Sequence, residues 1–211
     1  MTNEPKKQSK LLLYIMDPYC GWCYGDSRNI LELSKQYKIE IIPAGLWADA
    51  NSRTGHEVKE FITKGSRIVT SKTGAQFSSM YFNLLEKNTK LDSEIPCRAI
   101  NVIKKLHPEL QVEFTCKVMY AHYFHGHDLN ILQTYYDICE ELKINSEIFL
   151  SELELQNNID NTQYEFNRAY QLAKKYPTFI AVSDNGDIEL IEGKHNLDKY
   201  RTEIERIMSE D

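Results

Sequence analysis

The chain has 211 residues, 42% of them hydrophobic and 27% charged, with nine glycines and six prolines. This composition excludes disordered, collagenous and low-complexity classes and points to one large globular domain, or one domain carrying an insertion. A net charge of −6 removes the general attraction that non-specific binding to nucleic acid or to an anionic membrane depends on, so neither partner is expected.

Residues 1–10 are polar, Lys-rich and without periodicity. The longest uninterrupted apolar run follows, Leu11 to Met16, six residues where a membrane span needs about 20. It is also shorter than the apolar region of a signal peptide, and a cytoplasmic location is the expectation. Stopped by Asp17-Pro18, the run reads as a central strand. Cys23 to Tyr37 reads as a helix, with Ile30, Leu31 and Leu33 on helical spacing, and Ile39 to Ala44 as a second, β-branched strand. A right-handed crossover would set the two strands parallel.

From about 47 to 160 no strand is predicted. Ile95 to Leu106, Val112 to Tyr123 and Leu132 to Leu142 carry apolar residues at helical spacing, punctuated by His107-Pro108 and Gly126. Thr162-x-x-Glu165 reads as a capping box that opens a helix running to Tyr176. Pro177 then precedes two β-branched runs, Thr178 to Ser183 and Asp187 to Ile191, joined through Asp184-Asn185-Gly186, a hairpin signal. A last amphipathic helix is predicted over Leu197 to Met208. The expected class is α/β: a sheet domain formed by residues 11–46 and 161–208, interrupted by an all-helical domain over 47–160.

The chemistry concentrates at Cys20-Gly21-Trp22-Cys23, between the first strand and the first helix. Cysteines at i and i+3 of a helical turn share a face at a separation that a disulfide accepts. Cys20 falls at the helix start, where unpaired N–H groups and the dipole favour an anionic sulfur, and Cys23 lies one turn inside. Half a zinc site has the same spacing, but no second C-x-x-C or paired histidines of the finger type accompany it, so redox chemistry is the preferred reading. His122, His125 and His127 near Cys116 do not share one helical face, and no metal site is assigned. Cys116 and Cys139 lie on apolar stripes and are expected in the core. Cys97, after Pro96 near a helix start, is left open between core and surface. Pro177 either ends its helix or supplies a cis bond, X-Pro being the one peptide where cis is accessible.

A strand, a C-x-x-C at a helix start, a parallel strand, a helical insertion, then helix, X-Pro, hairpin and helix resembles the DsbA-like branch of the thioredoxin superfamily. Asp17-Pro18-Tyr19-Cys20-Gly21-Trp22-Cys23-Tyr24-Gly25 and Tyr176-Pro177-Thr178-Phe179 look most like the signal-peptide-free FrnE-like group. The resemblance implies a thioredoxin fold with a large helical insertion, Cys20 as nucleophile and Cys23 as resolving thiol. It also implies a cis Pro177 beside them, with Tyr176 offering backbone to a substrate and Trp22 exposed at the site. Protein or small-thiol disulfides, glutathione among the latter, would be the partners, with no cofactor and no metal. Gly21-Trp22 departs from the Pro-His of periplasmic DsbA, so the expected poise is that of a reductase or isomerase. Two rivals share the fold: a glutathione-dependent transferase or isomerase of the kappa and 2-hydroxychromene-2-carboxylate type, and a non-catalytic binding module.

Overall fold

The computed structural model describes residues 11–182 and 188–209. Strand β1 (Leu11–Met16) leads through Asp17 to Cys20 into a short helix α1 (Gly21–Gly25), then α2 (Ser27–Ser34) and β2 (Lys38–Pro43). The single helix expected here is broken at Asp26, whose N–H reaches back to the Trp22 and Cys23 carbonyls while its side chain turns into the interior. β1 and β2 pair in parallel, Leu12 opposite Ile39 and Ile15 opposite Ile42.

The middle of the chain holds more than the three helices foreseen. A two-stranded antiparallel ribbon, β3 (Arg53–Thr54) with β4 (Lys90–Leu91), brackets α3 (Gly55–Thr73) and α4 (Ser79–Glu86). Helices α5 (Glu94–Leu106), α6 (Gln111–Tyr123) and α7 (Leu132–Leu142) match expectation within a residue, and α8 (Ser146–Leu153) follows. Helix α9 (Gln156–Leu172) starts six residues before Thr162 and ends four before Tyr176. Thr162 is therefore no cap. Its hydroxyl donates to the Asn158 carbonyl and accepts from Asn101, while Glu165 pairs with Lys104 and Arg168. The capping box that does form is Thr54 with Glu57, at the head of α3.

Strands β5 (Thr178–Val182) and β6 (Ile188–Glu192) and helix α10 (Leu197–Ser209) complete the chain. The sheet order is β2-β1-β5-β6, with β5 antiparallel to both β1 and β6. The turn predicted at Asp184-Asn185-Gly186 lies outside the described residues. Because β1 is central, both its faces are covered. Ile15, with Ile42 and Ile180, meets Ala169 of α9 and Ala173 just beyond its end. Leu12, Tyr14 and Met16 join Phe179 and the inner faces of α2, α6 and α10 in the larger core. Burying Leu or Ile side chains at such positions contributes about 1.5–3 kcal/mol each before conformational entropy is counted. The C-terminal end of β1 is thereby fixed as a rigid base for the cysteine turn.

Candidate active site

Asp17 organises the turn from β1 into α1. Fully buried, its carboxylate accepts the Tyr19 N–H at 2.8 Å, the Leu46 N–H at 2.7 Å and the Ser93 hydroxyl at 3.2 Å. Two opposing effects act on it. The three donors favour the ionised form and burial disfavours it; burial dominates and raises the carboxyl to about 6.

Cys20 is the N-cap of α1, and its Sγ accepts the Cys23 N–H at 3.2 Å. Its thiol points at the Tyr176 carbonyl, 3.6 Å away across 156 residues of chain. The Tyr176–Pro177 bond is cis, and Pro177 lines the same cavity as Cys20. Cys23 is wholly buried, and burial followed by the neighbouring Cys20 pushes its thiol well above the usual range. Cys20 is 7% exposed, whereas Cys97 and Cys139 are fully enclosed and Cys116 is 5% exposed. Cys97 is thus a core residue. Burial pushes the Cys116 and Cys139 thiols up to about 12. Among the described residues no group of three or more His, Cys, Asp or Glu side chains could hold a metal ion.

Trp22 is half-buried, a correction to the exposed position expected for it. Its ring stacks on His195 at 4.5 Å and 26°. His195 Nδ1 stands 3.1 Å from Asp26 Oδ2 without hydrogen-bond alignment, and Tyr200 donates its hydroxyl to the same oxygen at 2.6 Å. Gly193 makes this packing possible, since a Cβ there would lie 2.7 Å from the imidazole; its N–H donates to the Pro177 carbonyl at 3.2 Å.

Above Cys20 opens a cavity of about 580 Å³. Its floor is Cys20, Trp22, Tyr176 and Pro177, and its far wall is α3, through Phe61, Ile62, Ser66 and Val69. Gly25 lets that wall come close, because a Cβ would lie 2.8 Å from Val69 and 2.9 Å from Thr73. Tyr24 locks it further by donating its hydroxyl to the Gln76 carbonyl at 2.8 Å and stacking on Tyr123 at 4.7 Å. Local pattern reading missed α3 and His195. Thr54-x-x-Glu57 and Gly74, which ends α3 at a φ of 76°, were the signals available for the helix. The apposition of His195 and Trp22 has no local signal.

The arrangement offers two sulfurs one helical turn apart, one at the cavity floor beside a backbone carbonyl and one behind it. No protein-family model and no curated protein matches the chain. Among solved structures it is similar to cytosolic disulfide reductase DsbM from Pseudomonas aeruginosa, at 21% identity over 93% of this chain and 97% of that one, TM-score 0.81. The structure of that protein with glutathione is similar at 20% identity over 93% and 98%, TM-score 0.78. A 2-hydroxychromene-2-carboxylate isomerase is similar at 13% identity over 93% and 95%, TM-score 0.64. Identities this low establish architecture, and the architecture is the DsbA-like thioredoxin fold with a helical insertion, which is not all-helical as expected because it carries the β3–β4 ribbon.

Proposed function

We propose that the chain is a thiol–disulfide oxidoreductase of the reductase or isomerase type, close to the FrnE-like group, acting in the cytoplasm on protein and small-thiol disulfides. The observation that carries this reading is Cys20 at the head of α1, its sulfur receiving the Cys23 N–H and lying 3.6 Å from the Tyr176 carbonyl on the cavity floor. The Cys20 thiolate attacks one sulfur of the substrate disulfide, forming a mixed disulfide, and the other sulfur leaves with the electron pair and takes up a proton. Cys23 then loses its proton, attacks the Cys20 sulfur and releases the second thiol, leaving a Cys20–Cys23 disulfide. Two equivalents of a small thiol such as glutathione restore the dithiol and are themselves oxidised. Trp22 and Tyr176 are read as substrate contacts; among the described residues no acceptor meets the Tyr176 N–H, which leaves it available to an extended peptide. The likeness to DsbM, called a cytosolic disulfide reductase and solved with glutathione, supports both the substrate class and the compartment.

The isomerase rival uses a single activated hydroxyl or thiol, and the pairing of Cys20 with Cys23 argues against it. The test is equilibration with glutathione. The potential expected lies between roughly −270 and −180 mV, the range from thioredoxin to disulfide isomerase. Cys23→Ser should accumulate mixed disulfides and Cys20→Ser should not. Turnover retained by Cys20→Ser, or a potential near about −120 mV, contradicts the proposal.

A further inference from the structure

A second cavity, of about 420 Å³, lies on the other side of the Trp22–His195 stack. Trp22, Lys72, Lys194, His195, Asn196 and Lys199 line it, and no carboxylate does. On a chain of net charge −6 this is a local reversal of sign. The lysines on the opposite rim of the cysteine cavity are already engaged: Lys175 pairs with Glu192 at 3.1 Å, and Lys174 covers the Tyr170 ring at 3.9 Å while donating to its carbonyl. In the second cavity Lys194 pairs with Glu203 at 3.5 Å, whereas the ammonium groups of Lys72 and Lys199 meet no acid among the described residues. The head of α10 also opens here. Asn196 caps it, accepting the Lys199 N–H on its side chain and the Tyr200 N–H on its carbonyl, so the positive end of a 13-residue helix adds to the lysines. Asp198, the acid nearest in sequence, is 89% exposed and pairs with Arg201 instead. Asp26 faces His195 from the buried side, so the cationic character rests chiefly on Lys72, Lys199 and the helix.

We propose that this cavity binds the carboxylate groups of one half of the disulfide substrate, while the other half occupies the apolar cavity against α3. The inference rests on the thiol-exchange reading for its context and adds to it a demand on the substrate: one half must be acidic. A free thiol bearing carboxylates and an acidic residue next to a protein disulfide present the same group.

The test is calorimetric and needs no redox step. S-methylglutathione, which has no free thiol, is titrated into the full chain, alongside its dimethyl ester and a thiol-free acidic peptide, acetyl-Glu-Ser-Glu-amide. The wild type should bind the acid more tightly than the ester, with an affinity that falls as salt rises. The double variant Lys72→Gln, Lys199→Gln removes two ammonium groups that meet no acid among the described residues. It should weaken acid binding by roughly three- to thirtyfold and leave the ester unchanged. If the acidic peptide binds as well as S-methylglutathione and loses affinity in the same variant, protein acidic residues are the source of the carboxylate; if it does not bind, a small thiol is. Equal binding of acid and ester, or an unchanged affinity in the double variant, overturns the proposal. Because binding is read without turnover, a chain inactive in thiol exchange still gives an answer here, and a failed cavity leaves the exchange assay intact.

Discussion

Replacing Asp17 with asparagine tests whether burial outweighs three hydrogen bonds. With its carboxyl at about 6 in the folded chain against an ordinary 3.8, the native state holds this proton more tightly than the unfolded chain does. Its contribution to stability is therefore fully present below about pH 4 and is lost as pH rises through about 6. The whole change amounts to about 3 kcal/mol, of which about 2 kcal/mol falls between roughly pH 4.5 and 7.5. The introduced amide cannot titrate, but its NH2 would face one of the N–H donors that Asp17 now satisfies, at a cost that is the same at every pH. The slope is therefore the diagnostic and the level is not. Urea unfolding of both proteins across this range should show the wild type losing about 2 kcal/mol relative to Asp17→Asn, and the labelled Asp17 carboxyl should titrate by NMR with a midpoint near about 6. Parallel stability curves, or a midpoint below about 4, would mean that the N–H groups of Tyr19 and Leu46 and the Ser93 hydroxyl win over desolvation.

Iodoacetamide applied to the native reduced chain should modify Cys20, which lines the cavity, before Cys116, whose thiol burial raises to about 12, and before the enclosed Cys97 and Cys139; mass spectrometry showing Cys116 labelled as early as Cys20 contradicts this reasoning. Gly25→Ala drives a methyl group into Val69 and Thr73 and should cost about 1–3 kcal/mol in urea unfolding, so unchanged stability would show that α3 yields freely. Tyr200→Phe deprives the buried Asp26 carboxylate of its hydroxyl donor and should cost about 1.5–3 kcal/mol in the same assay, and a loss under about 0.5 kcal/mol would mean that the carboxylate finds another donor.

The cysteine turn, the parallel strand pair and the last helix were legible because each is a local pattern: Leu11 to Met16 is apolar on both faces and ends at Asp17-Pro18, and Tyr200, Ile204 and Ile207 recur on one stripe. Helix α3 escaped because its inner stripe is only weakly apolar, Val58, Ile62 and Val69 packing inward with Ser66 among them. Phe61 is 73% exposed and Ile68 54%, while Gly55, Ser66 and Val69 are the positions it buries. Its ends were marked all the same, by Thr54 with Glu57 and by Gly74. Thr162 and Glu165 misled for the opposite reason: their spacing fits a cap, yet their side chains serve contacts to α5 made across the fold. The stack of His195 on Trp22 joins residues too far apart for any window of sequence to relate them.

Helix α3 stands outside the thioredoxin framework and still forms one wall of the cavity over Cys20, with Phe61 largely uncovered. On the thiol-exchange reading, chemistry and selectivity would then be written on different stretches of chain. Substitutions along one face of a surface helix can retune which molecules reach the sulfurs without touching the turn that holds them, so a lineage of such proteins can diverge in substrate while its reaction stays the same.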